Sequence, residues 1–303
     1  MNRRYLPMLV LLALVWGSSF MFIKVADRTL EPSTLILGRL GLAALVLAVF
    51  VPLTIGGAET VAELRAHWRG LLVVGLVNTA LPFWLLSWGE TRLDSGLASI
   101  IQAAVPIFNV LIALGFFHDE RVTGARLVGV GVGFVGVALL VGAQPHAKLL
   151  GALAVVGMAL CYGAGGLLAK RHLAGTSPKI VALGSSAVAA ILALPVGAAQ
   201  APSSFPGWEA IGSVAMLGVV GTAFAYLLFF TLIAGAGPAY ASLVTYLVPP
   251  VALAYGAVFL GEHFGIAAFG GLALILIGVA LGSRLPSRSR VRVREREAVA
   301  TAR

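Results

Sequence analysis

Charge is scarce in this chain. Asp, Glu, Lys and Arg make up 11% of its 303 residues, where an ordinary soluble domain carries about 25%. So few charges cannot coat a water-facing surface. That excludes a soluble globular enzyme, a disordered chain and a nucleic-acid-binding domain. Cysteine is rarer still: Cys161 stands alone, so there is neither an internal disulfide nor a Cys-based metal site. The sequence contains no Asn-x-Ser/Thr and no cysteine pattern of a secreted ectodomain. It also lacks a G-x-x-x-x-G-K-S/T loop, so the chain itself hydrolyses no nucleotide. His67, His118, His146, His172 and His263 fall between apolar runs or at their ends, without paired ligand spacing; no metal and no other cofactor is expected. The net charge of +9 does not point to nucleic acid, because 7 of the 21 Lys and Arg residues lie beyond residue 283. The Ser/Arg-rich stretch 284–303 reads as a basic, disordered cytoplasmic tail that sets topology and is weakly drawn to anionic lipid.

Apolar residues, by contrast, make up 59% of the chain, and the mean hydropathy is +0.99. A helix that crosses a bilayer needs about 20 mostly apolar residues. Ten runs fit: residues 7–23, 34–53, 70–89, 96–117, 127–141, 149–169, 180–199, 211–234, 239–260 and 266–281. The expected fold is therefore an all-α integral membrane protein of ten transmembrane helices. The first run, with Trp16 and Lys24 near its end, is a retained span and not a cleaved signal. Connections are short. The longest internal one, 54–69, places Val61, Leu64 and Trp68 on one side and reads as a helix lying on the membrane surface.

Positive residues collect on the cytoplasmic side of a membrane. With the N-terminus inside, 16 Lys and Arg fall inside and 4 outside (Lys24, Arg28, Arg92, Lys148), and Arg39 lies within a span. Leaving out the tail, the split is 9 to 4. Both termini are expected in the cytoplasm, and Gln200–Glu209 outside.

The two halves resemble each other. Shifted by 146, Trp16-Gly17 meets Tyr162-Gly163, Lys24 meets Lys170 and Pro32 meets Pro178. Shifted by 143, Gly75 meets Gly218, Thr79-Ala80 meets Thr222-Ala223, Ala98-Ser99 meets Ala241-Ser242 and Pro106 meets Pro249; after a one-residue slip, Glu120 meets Glu262 and Gly129 meets Gly271. The chain divides into 1–142, 143–283 and the tail. Each half holds five spans, an odd number, so the second must sit upside down relative to the first. Inverted repeats of this kind mark secondary transporters, with the substrate site between the halves near the midplane.

Several short motifs resemble the drug/metabolite transporter superfamily, EamA type. They are Trp16-Gly17-Ser18-Ser19-Phe20-Met21-Phe22-Ile23-Lys24 in the first span, Gly38-Arg39-Leu40 in the second, Pro106 with Glu120-Arg121-Val122-Thr123, and Pro249 with Gly261-Glu262. The resemblance covers about residues 8–282. It implies ten helices in two inverted five-helix repeats, and export of amino acids, amines, drugs or other small metabolites. This chain departs from the pattern at His118-Asp119, where Gly often precedes the Glu, and at Ser185, where Arg39 would recur.

Polar groups inside spans are costly in hydrocarbon and tend to line a pathway. Gln102 and Asn109, seven apart around Pro106, share a face of the fourth span. Thr245, Tyr246, Pro249-Pro250 and Tyr255 cluster on the ninth, where paired prolines break backbone bonding. Asn78 and Trp84 lie on the third, and Trp16, Tyr162 and Tyr226 add aromatic surface. Trp88, near a span end, reads as interfacial belt. Such walls suit an amphipathic organic substrate, a cation or an aromatic amino acid. Arg39 can bind a substrate carboxylate, snorkel outward or cap a carbonyl. Lys24 and Lys170 are expected to snorkel, and Glu120 and Glu262 to cap the fifth and tenth helices. Gly129, Gly133 and Gly136, with Gly271, Gly278 and Gly282, offer small faces for contact within one chain or in a homodimer.

No acidic residue lies deep in a span. Glu90 alone can reach a cavity, from its outer rim, so the expected mode is facilitated diffusion or exchange, with proton coupling through Glu90 as the alternative. The reading that results is a carrier, an exporter of small amphipathic metabolites working by alternating access. Its partners are a small-molecule substrate and the lipid bilayer. The alternatives are a passive channel or pore and an intramembrane enzyme.

Overall fold

The computed structural model describes residues 3–116, 125–142 and 146–283, and all its regular elements there are helical. The expectations for His118, Asp119, Glu120, Arg121, the Gln144-Pro145 turn and the tail from Arg284 lie outside the described residues. The helices are α1 (Leu6–Ala26), α2 (Pro32–Ile55), α3 (Gly57–Ala66), α4 (Trp68–Glu90), α5 (Ser95–Gln102), α6 (Val105–Phe116), α7 (Ala125–Gly142), α8 (His146–His172), α9 (Pro178–Ala199), α10 (Trp208–Ala236), α11 (Pro238–Ala241), α12 (Val244–Leu260) and α13 (Ile266–Ser283). Among the described residues, seven helices are long and apolar enough to cross a membrane; shorter apolar helices run over Leu127–Gly142, Val244–Leu260 and Ile266–Leu281.

The helices face outward with hydrocarbon, not charge. On α2, Leu45, Val49 and Leu53 share one face and are 66–80% exposed, while Ala43, Leu47 and Val51 on the other are fully buried. A fully apolar helix with half its apolar side chains exposed is at home in lipid, where every backbone group is satisfied within the helix. Between the second and third spans stands the short helix α3: Val61 is exposed and Leu64 packs against the cluster around Leu47 and Leu71, but the helix ends at Ala66, so Trp68, expected on the same face, instead begins α4.

Close approach of helices is set by small residues. α7 packs on α13, α2 on α9, α1 on α12 and α4 on α8. A Cβ on Gly278 would lie 2.5 Å from the Gly129 carbonyl and 2.6 Å from the Gly133 nitrogen, and one on Gly136 would lie 2.9 Å from the Gly271 carbonyl. These glycine faces therefore pack against each other within the chain.

Two helices carry a widened turn. α4 is π-helical over Leu76–Ala80, and α10 over Met216–Phe224. Thr79 and Thr222, matched by the 143-residue shift, sit in these turns. π-turns of this kind frequently mark functional sites. The fourth span is broken too: α5 ends at Gln102, and α6 restarts at Val105 with Pro106 in its first turn, where a missing N–H costs nothing.

Candidate functional site

A central cavity of about 340 Å³ lies among α1, α2, α4, α5, α8, α10 and α12. Its size falls within the ordinary range for small-molecule pockets. Trp16, Arg39, Asn78, Gln102, Tyr162, Tyr226, Thr245 and Pro249 all line it. Trp16 leans on Phe229 with ring centroids 5.3 Å apart, and Phe83 meets Tyr162 edge-on at 6.5 Å.

Arg39 is the cation of this cavity. It is 4% exposed, so it does not snorkel. Its Nε donates to Thr222 Oγ1 at 3.0 Å, and its guanidinium carbon lies 4.2 Å from the centre of the Phe83 ring. Thr222 Oγ1 in turn donates to the Leu217 carbonyl, five residues back, at 2.8 Å. The π-turn therefore orients the hydroxyl that orients Arg39. The corresponding pair in the other half, Ser185 and Thr79, carries no cation; Ser185 Oγ donates back to the Ala182 carbonyl at 3.4 Å. The cavity is electrically one-sided.

The other sequence candidates stand outside the cavity lining. Asn109 faces α8, where a Cβ on Gly166 would come 3.8 Å from its Oδ1. Trp84 is exposed, donates from Nε1 to Ser33 Oγ at 3.1 Å, and stacks on Trp88 at 6.2 Å. Tyr246 is half-buried against the core, and Tyr255 stacks on Phe259 at 5.6 Å. Pro106 forms the kink between α5 and α6, and Pro250 is exposed on α12. Conversely, Thr222, Phe83 and Phe229 line the cavity without having been singled out in the sequence. A signal for two of them exists: Thr222, Tyr226 and Phe229 form a stripe at i, i+4 and i+7.

Two ties join the ends of α1 and α4 and the start of α5 with the turn after α12. Lys24 Nζ donates to the carbonyls of Glu90 and Leu93, the latter at 2.9 Å. It is thus a tie between α1 and the end of α4, where snorkelling was expected; Lys170 is exposed, as a snorkelling residue is. The second tie corrects the expectation for Glu262. Its carboxylate accepts from Ser95 N at 2.7 Å, Gly96 N at 3.1 Å and Ser95 Oγ at 3.0 Å, so it caps α5 and not the tenth span. The reason is Gly261, whose φ of +66° reverses the chain after α12 and turns Glu262 back, its N–H bonded to the Gly256 carbonyl at 3.0 Å. The unpaired N–H groups of a helix start then draw the carboxylate. Beyond the ties lies an outer vestibule of about 390 Å³ that includes Lys24, Asp94, Lys148 and Glu262; Lys148 and Asp94 pair at 2.8 Å. Glu90 is wholly buried next to this layer.

Known proteins with this sequence pattern are membrane transporters. The chain is 31% identical over 286 residues to a probable terminal-alkyne amino-acid exporter of Streptantibioticus cattleyicolor, covering 91% of this chain and 92% of the relative. It is 26% identical to a probable amino-acid metabolite efflux pump of Escherichia coli, covering 92% and 94%. A solved crystal structure superposes with a TM-score of 0.64 over 95% of this chain and 99% of that one, at 19% identity, which supports the fold alone. The model of the EamA-like transporter family matches twice, at residues 3–142 and 149–284. A chain of apolar helices around a largely apolar, aromatic-walled cavity, matched along nearly its whole length, belongs to the EamA-like transporter family and is a multi-pass membrane transporter.

Proposed function

We propose that the chain is a secondary exporter of small amphipathic metabolites bearing a carboxylate, amino acids foremost, working by alternating access around the central cavity. The observation that carries this reading is Arg39. Its Nε is engaged by Thr222, and among the described residues no carboxylate pairs with its guanidinium. A buried cation without a counter-ion is costly unless an anion completes it. A carboxylate ligand can dock in the bidentate manner guanidinium favours, and the walls of Trp16, Tyr162, Tyr226 and Phe229 suit an apolar side chain. Two relatives named for amino-acid or amino-acid-metabolite export support the same class.

The proposal includes two five-helix halves of opposite orientation. The matched π-turns and the matched packing of α1 on α12 and α8 on α6 support it. The charge distribution supports cytoplasmic termini, which puts the tied end of the cavity and its vestibule outside. The glycine faces are consumed between α7 and α13, so a homodimer, if formed, uses another surface.

Counterflow in proteoliposomes tests this reading. Lumenal unlabelled L-phenylalanine or L-leucine should drive transient uptake of the same labelled amino acid, which a pore cannot do. Arg39→Gln should raise the half-saturating concentration roughly 10- to 100-fold, the equivalent of about 1.5–3 kcal/mol for a charge-assisted hydrogen bond. Counterflow absent across the twenty amino acids would sink the substrate class.

A further inference from the structure

Four side chains stand between the central cavity and the outer vestibule: Lys24 and Asp27 at the end of α1, and Ser87 and Glu90 at the end of α4. Ser87 Oγ is bonded to both Asp27 oxygens, at 2.8 and 3.2 Å. Lys24 faces the vestibule and spends its hydrogen bonds on backbone carbonyls, not on either carboxylate. Glu90 is 0% exposed, and among the described residues neither of its oxygens meets a hydrogen-bond donor. One turn back on the same face, Leu86 lines the cavity. The other charged groups near Glu90 are Arg39, on the cavity side, and Glu262, whose carboxylate is already held by the start of α5; Glu31 lies near Asp27.

We propose that Asp27 and Glu90 together form a proton-binding site in the outer gate, loaded when the gate closes and emptied when it opens to the outside. The argument is one of charge in a dry layer. With both carboxylates ionised, Lys24 leaves this cluster at net −1; a single added proton brings it to zero. A desolvated carboxylate with no donor is among the costliest groups a protein can bury, so closing the layer around Glu90 takes up a proton from solution. Opening hydrates Glu90 and returns it. The proton moves from water to a carboxylate oxygen and back, with no other bond made or broken. Burial also pushes the Asp27 carboxyl up to about 7, which puts the exchange in the physiological range.

This gate deepens the exporter reading, on which its outward side rests: it makes opening of the cavity to the outside depend on outside pH, with no net movement of a proton across the membrane. Its first test does not depend on transport. Infrared titration of the purified protein in liposomes, from about pH 5 to about pH 9, should show the carbonyl stretch of a protonated side-chain carboxyl that disappears near neutral pH. The Glu90→Gln, Asp27→Asn double variant should lose that band, each single variant should weaken it, and Lys24→Gln should move its midpoint upward. A second test reads the gate. With Cys161→Ser, a cysteine at Thr245 in the cavity should react with impermeant maleimide from outside several-fold faster at the basic end, relative to a cysteine at Ser203; Glu90→Gln should abolish that dependence. No titrating carboxyl in the wild-type protein, or a band unchanged in the Glu90→Gln, Asp27→Asn double variant, would overturn the proposal. The infrared result stands whether or not amino acids prove to be the substrate, so the two readings fail separately.

Discussion

Gln102 and Asn109 share a helical face by spacing, yet the break at Ala103-Ala104 separates their roles. Gln102 lines the cavity, whereas Asn109 meets the glycine surface of α8. Gln102→Leu should therefore cut counterflow at least ten-fold with the protein still monodisperse. Asn109→Leu should spare counterflow at saturating substrate and lower the melting temperature, because it trades an amide for bulk against a close helix contact. Asp27 gives a pH dependence with a definite sign. Its native carboxyl titrates at about 7, above its ordinary 3.8, so between those values the folded state binds more protons than the unfolded one. Stability should fall as pH rises from about 4 to about 7 and level off above, by at most about 4 kcal/mol. Melting curves across that range should show the slope, and Asp27→Asn should shrink it.

Among the elements, the α7–α13 pair depends most directly on absent side chains. Gly278→Val drives a branched side chain into the Gly129 and Gly133 backbone, which cannot yield as a flexible side chain would. Loss of monodisperse protein on extraction is expected. Gly41→Ala in α2 is the matched control: a Cβ there meets nothing within 4 Å, and the melting temperature should hold or rise, by up to about 1 kcal/mol of stability. Apolar run length marked the helices: among the described residues seven are of membrane length, and the runs at 127–141, 239–260 and 266–281 meet shorter apolar helices. The π-turns left no trace, since Leu76, Val77, Asn78, Thr79 and Ala80 are unremarkable helix residues in lipid. One extra residue in a turn rotates everything after it by about 100°, which is why Phe83 and Leu86 face the cavity while Trp84 faces away. The Glu262 cap was equally hidden: the carboxylate is legible in the sequence, but the Ser95 N–H that donates to it lies 167 residues away, at the start of α5.

Across the whole molecule, the distribution of positive charge predicts an orientation. Single cysteines in a Cys161→Ser background should settle it: Ser203, in an exposed segment beside Phe205 and Trp208, whose rings meet edge-on, should react with impermeant maleimide in intact cells. A cysteine at Ala302 should react only after lysis. The reverse pattern would invert the vestibule and make the tied end cytoplasmic. The aromatic and amide residues of the cavity come from helices far apart in sequence; the repeat shifts pair Trp16 with Tyr162, but Asn78 falls opposite Gly221 and Tyr226 opposite Phe83. The Arg39–Thr222 bond, spanning 183 residues, is where the two halves stop being equivalent: the first supplies the guanidinium, the second the hydroxyl that aims it.

The two outer ties also share an asymmetry of atoms. Lys24 bonds to carbonyl oxygens, and Glu262 takes two of its three bonds from backbone N–H groups. A main-chain carbonyl is present whatever residue the codon specifies, and a main-chain N–H in every residue but proline. In mutational terms each tie has one vulnerable end: substitutions at positions 24 and 262 untie the gate, while position 93, which lends only its carbonyl, is read by its packing alone. Compensating changes across these ties are thus confined to the one side-chain bond, Ser95 Oγ to Glu262, and the lysine must persist or be lost on its own.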